Sequence, residues 1–379
     1  MKTIAHIYSR YSPSVILDLH NEISKRGNFS SVLLAEKYVP NAKPLFLNTY
    51  FFHRIPDGDV FQRIDRLISG NIAYKIMRKS FFERMLRTHQ VSLLHAHFGM
   101  AGCAIMDLAK KHEIPLVVTF YGVDGSYCLK DKRWVPHFKK LFTIADRIVV
   151  LCDEVKHRVM AFGYPEEKIR LWNCLEDVDF YTYSKRPQAK PMRFIIAARF
   201  VEKKGYPLLL NAFAKFAKEC PDARLTAIGY GEGKKNVLKI CDELDIKDKV
   251  EVISTDNNPN FDSIYRERLS QSHIFILPSI TAKNGDDEGG PALTLIAAQA
   301  AGLPVITTRF PGSERSVVDG LTGIYCDPDP DSIYDKMRYL YERPQMWDEL
   351  GCRASEYVKK EFRVEDQVIK MEAIYNELV

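Results

Sequence analysis

Residues 284 to 308, NGDDEGGPALTLIAAQAAGLPVITT, place an acidic, glycine-bearing loop directly before an apolar run. Gly289 and Gly290 allow a tight turn and close approach of a ligand to the backbone. Pro291 suits a first helical position, ALTLIAAQAA reads as the helix, and Gly302 with Pro304 ends it. The unsatisfied N–H groups of the first turn, around Pro291, Ala292, Leu293 and Thr294, form an anion site for which a diphosphate is the natural occupant. Glu288 would repel that anion unless its carboxylate reaches past it to accept hydrogen bonds from sugar hydroxyls. The plainer reading, a glutamate complementing a helix dipole, leaves the paired glycines and the preceding GDD unexplained.

A second stretch, AARFVEKKGYPLLLNAFAKF at 197 to 216, is a strand end, a charged turn and an amphipathic helix. Arg199 and Lys204 flank the turn, where a guanidinium and an ammonium suit a diphosphate; alone, such residues are ordinary solvated surface. IGYGEGKK at 228 to 235 has the wrong spacing for a dinucleotide fingerprint, so Gly229 and Gly231 read as a tight turn lining a nucleotide pocket. HAHFGMAG and TFYGVDGS each follow a strand, which puts His97, Tyr121 and Asp124 where they can contact a substrate sugar or a leaving phosphate. Each equally suits a satisfied polar residue at a strand end, the better reading for His95. His95 and His97 are expected on opposite strand faces and the acidic runs lack a calcium-loop pattern, so no metal and no cofactor is expected.

These residues need rigid elements behind them. Short apolar or β-branched runs, from TIAHIY to IRLW and again from RFIIAA to GIYC, alternate with helical patterns, which argues for two doubly wound α/β domains with parallel sheets. YTYSKRPQAKP at 181 to 191 reads as the linker, and the helical tail should pack back on the first domain. Ligands of such sheets sit beyond the carboxyl ends of the strands, so the motifs should converge on a cleft between facing domains. A length of 379 residues fits two domains. MKTIAHIYSRY reads as a first strand rather than a signal peptide, and the eight scattered cysteines suit a reducing compartment. Residues 1 to 190 hold 29 Lys and Arg against 19 Asp and Glu, a balance of +10, and the remainder 25 against 30, a balance of −5. A basic half implies an anionic partner. Residues 61 to 89, with seven Lys or Arg among Phe, Ile, Leu and Met, read either as a helix with one packed face or as a basic segment resting on anionic lipid.

Together HAHFG, VVTFYGVD, ADRIVVLCDEVKHRVMAFGYPEEKIRLWN, ARFVEKKG, IFILPSITAKNGDDEGGP and AAGLPVITTRFPGSERSVVDGLTG resemble the retaining, nucleotide-sugar-dependent glycosyltransferases of family 4, which have the two-domain GT-B fold. The resemblance implies an acceptor-binding domain over 1–186, a nucleotide-sugar-binding domain over 187–360, and a terminal helix over 361–379 returning to the first. It implies that Arg199 and Lys204 hold the donor diphosphate, that Glu288 faces the donor sugar, and that no metal is required. Tyr121 stands where the family commonly has histidine. Ala297 stands where the family carries a second glutamate that clamps the donor ribose, and a missing charged acceptor of this kind costs about 1.5–3 kcal/mol. The implied setting is bacterial surface polysaccharide synthesis, including lipopolysaccharide. The donor would be a UDP- or GDP-sugar and the acceptor a glycan or lipid-linked molecule, used in the cytoplasm or peripherally at the inner face of the plasma membrane. A silent GT-B binding protein is the rival that Ala297 favours. An epimerase or phosphorylase ranks lower, and nucleic-acid binding, without a recognisable module, ranks last.

Overall fold

The β-branched and apolar runs become the strands of two all-parallel sheets in this computed structural model, which describes residues 1–11, 15–38, 48–53, 72–186, 190–255 and 261–379. The first sheet holds β1 (Thr3–Tyr11), β2 (Ser30–Tyr38), β3 (Thr49–His53), β4 (Val91–His97), β5 (Leu116–Thr119), β6 (Arg147–Val150) and β7 (Ile169–Leu171), in the order β3-β2-β1-β4-β5-β6-β7. The second holds β8 (Arg193–Ala197), β9 (Arg224–Gly229), β10 (Val250–Ser254), β11 (Ile274–Leu277), β12 (Val305–Thr308) and β13 (Ile324–Cys326), in the order β10-β9-β8-β11-β12-β13. Strands such as LVVT, IFIL and VITT are buried along their whole length. That is the pattern of parallel sheets covered on both faces, and it explains runs with no polar alternation.

Among the described residues the helices are α1 (Val15–Arg26), α2 (Ile72–Thr88), α3 (Gly99–His112), α4 (Tyr127–Lys130), α5 (Val135–Phe142), α6 (Asp153–Met160), α7 (Tyr206–Glu219), α8 (Lys234–Glu243), α9 (Phe261–Gln271), α10 (Leu293–Ala300), α11 (Pro330–Tyr341), α12 (Gln345–Phe362) and α13 (Val364–Asn376). The chain divides into two units, one of Met1–Leu151, Val155–Leu175 and Val364–Val379, the other of Cys152–Glu154 and Glu176–Arg363. Arg363, in extended backbone, ends α12, and α13 packs within the first unit. There Tyr375 is fully buried against His95, the Trp172 indole N–H donates to the Gln367 carbonyl at 3.0 Å, and Arg26 and Asn28 hold Glu372.

In each sheet the strand order reverses beside the first strand, between β1 and β4 and between β8 and β11. The loops leaving the carboxyl ends of these pairs diverge, one to each face, and open the crevice where doubly wound sheets bind ligands. Of the regions singled out in the sequence, residues 61–71 of the basic segment, 187–189 of the linker and 256–260 of STDNNPNF, expected to help read the nucleotide base, lie outside the described residues.

Candidate functional site

In the second unit the loops after β8, β9 and β11 nest against one another at backbone contact. Phe200 donates its N–H to the Tyr230 carbonyl at 2.8 Å, extending the β8–β9 ladder past the strand ends, and this fixes the turn carrying Arg199. A Cβ on Gly229 would lie 2.0 Å from the Ala198 carbonyl oxygen. Gly205 has φ +67°, and a Cβ there would lie 2.0 Å from the Pro278 carbonyl oxygen. Gly229 thus lets two loops touch, and Gly231, at φ +112°, turns the chain away.

Lys204 and Glu288 form an ion pair at 2.6 Å with only 11% and 8% of their side chains exposed. Ser279, just past β11, donates its hydroxyl to the same carboxylate at 2.6 Å. Burial works to raise the Glu288 pKa, but Lys204, Lys203 and the hydrogen bonds from Lys204 and Ser279 outweigh it and hold the carboxyl below its ordinary value. Arg199 is exposed beside this pair, near enough to oppose the charge of Lys204. Lys203 is buried instead. Its ammonium donates to the Asp287 carbonyl at 2.6 Å and to the Asp286 carboxylate at 3.1 Å, which ties the β8 loop to the acidic loop.

Ala292 is the N-cap of α10, in extended backbone with φ −85° and ψ 114°, so the helix starts at Leu293 and Pro291 lies before it rather than at its first position. The loop after β12 packs closely on this stretch: a Cβ on Gly312 would lie 2.3 to 2.7 Å from the backbone of Gly290 and Pro291, so only glycine fits there. No side chain caps α10, and among the described residues the N–H groups of Leu293 and Thr294 meet no backbone acceptor. Gly289, at φ +66°, bends the chain between Glu288 and this end. The result is a carboxylate, an ammonium, an exposed guanidinium and an uncapped helix N-terminus on loops of one switch point. Ala297, a residue of α10 itself, is 1% exposed and faces the apolar core. The far end closes in a Schellman motif, with Gly302 N–H on the Gln299 carbonyl and Leu303 N–H on that of Ala298.

In the first unit Tyr121 is part-buried, and its hydroxyl lies 2.7 Å from His97 Nδ1. His97 has no exposed surface; it stands behind Tyr121 rather than beside it. Asp124, also without exposure, accepts from the backbone N–H of Gly99 at 2.8 Å, Gly122 at 3.0 Å and Tyr121 at 3.1 Å. Burial raises its pKa, with these bonds working against the rise. Asp124 therefore clamps the TFYGVDGS turn to the start of α3, with both carboxylate oxygens accepting from backbone N–H groups. His95 is a satisfied core residue, hydrogen-bonded to Tyr375 at 2.6 Å and Thr119 at 2.7 Å.

The expectation that His95 and His97 point to opposite faces is corrected: their rings lie 4.1 Å apart. Strand side chains alternate with period two, so residues i and i+2 share a face. Sequence reading also missed Phe98, whose φ of 73° is unusual for a residue with a side chain. Its ring packs 4.8 Å from that of Tyr121, and strain of this kind, about 1–3 kcal/mol, concentrates at functional sites. No letter marks a positive φ at phenylalanine. Ser279 was findable as the first hydroxyl after the IFIL strand.

Two parallel sheets with these strand orders, and site residues beyond the carboxyl ends at the switch point, define a GT-B type of α/β protein. Anabaena HepE, solved in complex with UDP and glucose, is similar over 100% of both chains with a TM-score of 0.74 at 13% identity. The family model described as glycosyl transferases group 1 matches residues 179–360, and that described as glycosyltransferase family 4 matches residues 13–180. The chain thus carries both glycosyltransferase domains, which between them span residues 13–360. A relative in Escherichia coli (strain K12), WcaL, provisionally named as a colanic acid biosynthesis glycosyltransferase, is 29% identical over 73% of this chain and 68% of its own length. The amylovoran biosynthesis glycosyltransferase AmsK of Erwinia amylovora is 27% identical over 60% of this chain and 55% of its own.

Proposed function

We propose that this chain is a retaining hexosyltransferase that takes its sugar from a nucleoside-diphosphate donor and passes it to a glycan or lipid-linked acceptor in bacterial surface polysaccharide synthesis. The observation that carries the reading is the Lys204–Glu288 pair, buried to about nine-tenths beside the uncapped N-terminus of α10. An ammonium, the Arg199 guanidinium and free helical N–H groups match a diphosphate, and a carboxylate adjoining them matches sugar hydroxyls. The relatives' names support the polysaccharide setting, and the UDP bound by HepE supports a nucleotide donor.

In the reaction an acceptor hydroxyl oxygen bonds to the anomeric carbon, the bond from that carbon to the phosphate oxygen breaks, and the hydroxyl proton leaves with the diphosphate. Charge grows on the leaving oxygens, which is where Arg199, Lys204 and the α10 N–H groups act; fixed donors cost no reorganisation at that moment. Lys204 exchanges Glu288 for phosphate, and the freed Glu288 turns to the sugar. These cations fill the role a divalent metal plays elsewhere, so the reaction proceeds without one. At the acceptor, Tyr121 offers a hydrogen bond, with His97 and Asp124 holding it and its loop.

A basic first half and the exposed Ile76 and Met77 of α2, flanked by exposed Lys75 and Lys79, support a peripheral contact with anionic lipid. Among the described residues no helix is long and apolar enough to cross a membrane. The test is a thermal-shift panel of UDP, GDP, ADP, CMP and their sugar conjugates, run with and without EDTA, with product anomers read by NMR. A donor at about a hundred times its Kd stabilises the fold by about 2.7 kcal/mol. A shift with one nucleoside diphosphate, unaffected by EDTA, is expected; no shift with any nucleotide overturns the reading in favour of a silent binding module.

A further inference from the structure

His6, His20, His95 and His97 have no solvent exposure, and they share one region at the switch point of the first sheet. The β1–β4 register places His6 opposite His95, and His97 follows two residues on, on the same face. Ligating atoms of His6, His95 and His97 lie within 4.8 Å of one another. Such a cluster is either an ion site or a wire of hydrogen bonds, and two observations favour the wire. Three imidazoles hold zinc with a fourth ligand from protein or water, and this cluster, without solvent exposure, offers no carboxylate or thiolate for that position. Both ring nitrogens of His95 are also already hydrogen-bonded, to Tyr375 and Thr119.

The wire runs from His6 Nδ1 to His97 Nε2 at 3.0 Å and from His97 Nδ1 to the Tyr121 hydroxyl at 2.7 Å, while His6 Nε2 is buried without a hydrogen-bond partner. Burial keeps His6 and His97 neutral, so each ring carries one proton. Two assignments fit. In the first, His6 Nδ1–H donates to His97, His97 Nδ1–H donates to the Tyr121 oxygen, and a bare lone pair is left at His6 Nε2. In the second every proton reverses: Tyr121 donates inward and an N–H is stranded at His6 Nε2. Buried backbone N–H groups are orphaned more rarely than carbonyl oxygens are under-satisfied, and the same preference carried over to imidazole selects the first.

We propose that His6 is a positioning residue which, through His97, turns the Tyr121 hydroxyl proton outward, toward a sugar or phosphate oxygen of the bound substrate. The inference rests on the proposed transferase function, in which Tyr121 meets substrate. Phe98 packs on the Tyr121 ring and fixes its plane. The wire sets which way the hydroxyl donates: Tyr121 acts as a donor, with its oxygen occupied by His97.

The test has a readout independent of activity. In the full chain with 15N-labelled histidine, long-range 15N–1H correlation is expected to show His97 protonated at Nδ1 and bare at Nε2. His6→Asn, whose amide N–H can replace the Nδ1–H donor, keeps that tautomer; His6→Leu loses it. With an identified donor, His6→Leu lowers kcat roughly 10- to 100-fold with KM little changed, and His6→Asn recovers most of the loss. His97 protonated at Nε2 in the unaltered chain overturns the proposal, as does one equivalent of zinc by mass spectrometry with His6 and His97 shifts of metal-bound imidazole. If no nucleotide sugar turns over, the function is refuted while the tautomer measurement still decides the wire.

Discussion

Acid should open the first unit well before ordinary carboxylate titration begins. Burial lowers the His6 pKa from 6.5 to about 3, burial together with the nearby His6 lowers that of His20 to about 2, and burial chiefly takes His95 and His97 well below 6.5. The unfolded chain protonates all four near 6.5 and the folded chain none of them. Stability is therefore fully present above pH 6.5 and is lost as pH falls below it. One such group costs RT ln(1 + 10^(6.5 − pH)), about 1.4 kcal/mol at pH 5.5 and about 2.1 kcal/mol at pH 5. Four together cost about 6 and about 8 kcal/mol, as large as the whole stability of many domains. Asp124 acts with the opposite sign, since its raised pKa lets the folded state gain a proton first, but only at lower pH where a carboxylate titrates. The assay is hydrogen exchange read by mass spectrometry on β1 and β4 peptides from pH 8 to 5, corrected for intrinsic exchange, with β8 and β11 peptides as internal reference. The expected slope of opening free energy below pH 6 approaches four protons. A slope under about one proton between pH 6.5 and 5.5 refutes the reasoning, because it requires the histidines to charge without unfolding.

Three further outcomes follow from particular contacts. Lys204→Met or Glu288→Gln each leaves one buried member of the pair alone and should cost about 3–5 kcal/mol, while the double variant costs much less; additive losses in a denaturant double-mutant cycle rule out the coupling. Tyr375→Phe removes a 2.6 Å partner of His95 at a buried position and should lower the stability of the first unit by about 1–3 kcal/mol, read from urea unfolding of the variant and the unaltered chain in parallel. Ala297→Glu should destabilise the free chain, since Ala297 is 1% exposed in an apolar core, yet tighten donor binding roughly ten- to a hundredfold by restoring a charged acceptor for the ribose; calorimetric donor affinity that does not rise ends the clamp reading.

Much of the scaffold was legible because parallel strands buried on both faces cannot hide: RIVV, IFIL and VITT have no polar alternation to confuse with an amphipathic helix. The loops of the second-unit site were legible for a related reason. Glycines at 205, 229 and 302 sit where a Cβ meets backbone or a packed ring, and such positions leave a mark in the letters. The start of α10 was misplaced by two residues because its cause is not local. Gly312, some twenty residues downstream, packs so closely on Gly290 and Pro291 that a Cβ would not fit, and the chain there stays extended past the proline, against its preference for a first helical turn.

The same distinction separates Lys203 from Lys204. Adjacent and alike in sequence, they divide because the 3₁₀ turn from Glu202 to Lys204 sends one ammonium to Asp286 and the Asp287 carbonyl and the other to Glu288. Only the second pairs with the carboxylate that adjoins the uncapped end of α10, so a charge swap at Lys203 should loosen the acidic loop while a swap at Lys204 changes the anion site itself. His6 shows the limit from the other side. It reads as one more residue of an apolar first strand, and it acquires a role only when the sheet order brings β1 against β4 and sets its ring on His97. Strand order is a non-local property, and a wire of protons across two strands exists nowhere in either strand alone. The charged site of the second unit is therefore written in contiguous motifs, while the setting of Tyr121 is assembled by topology.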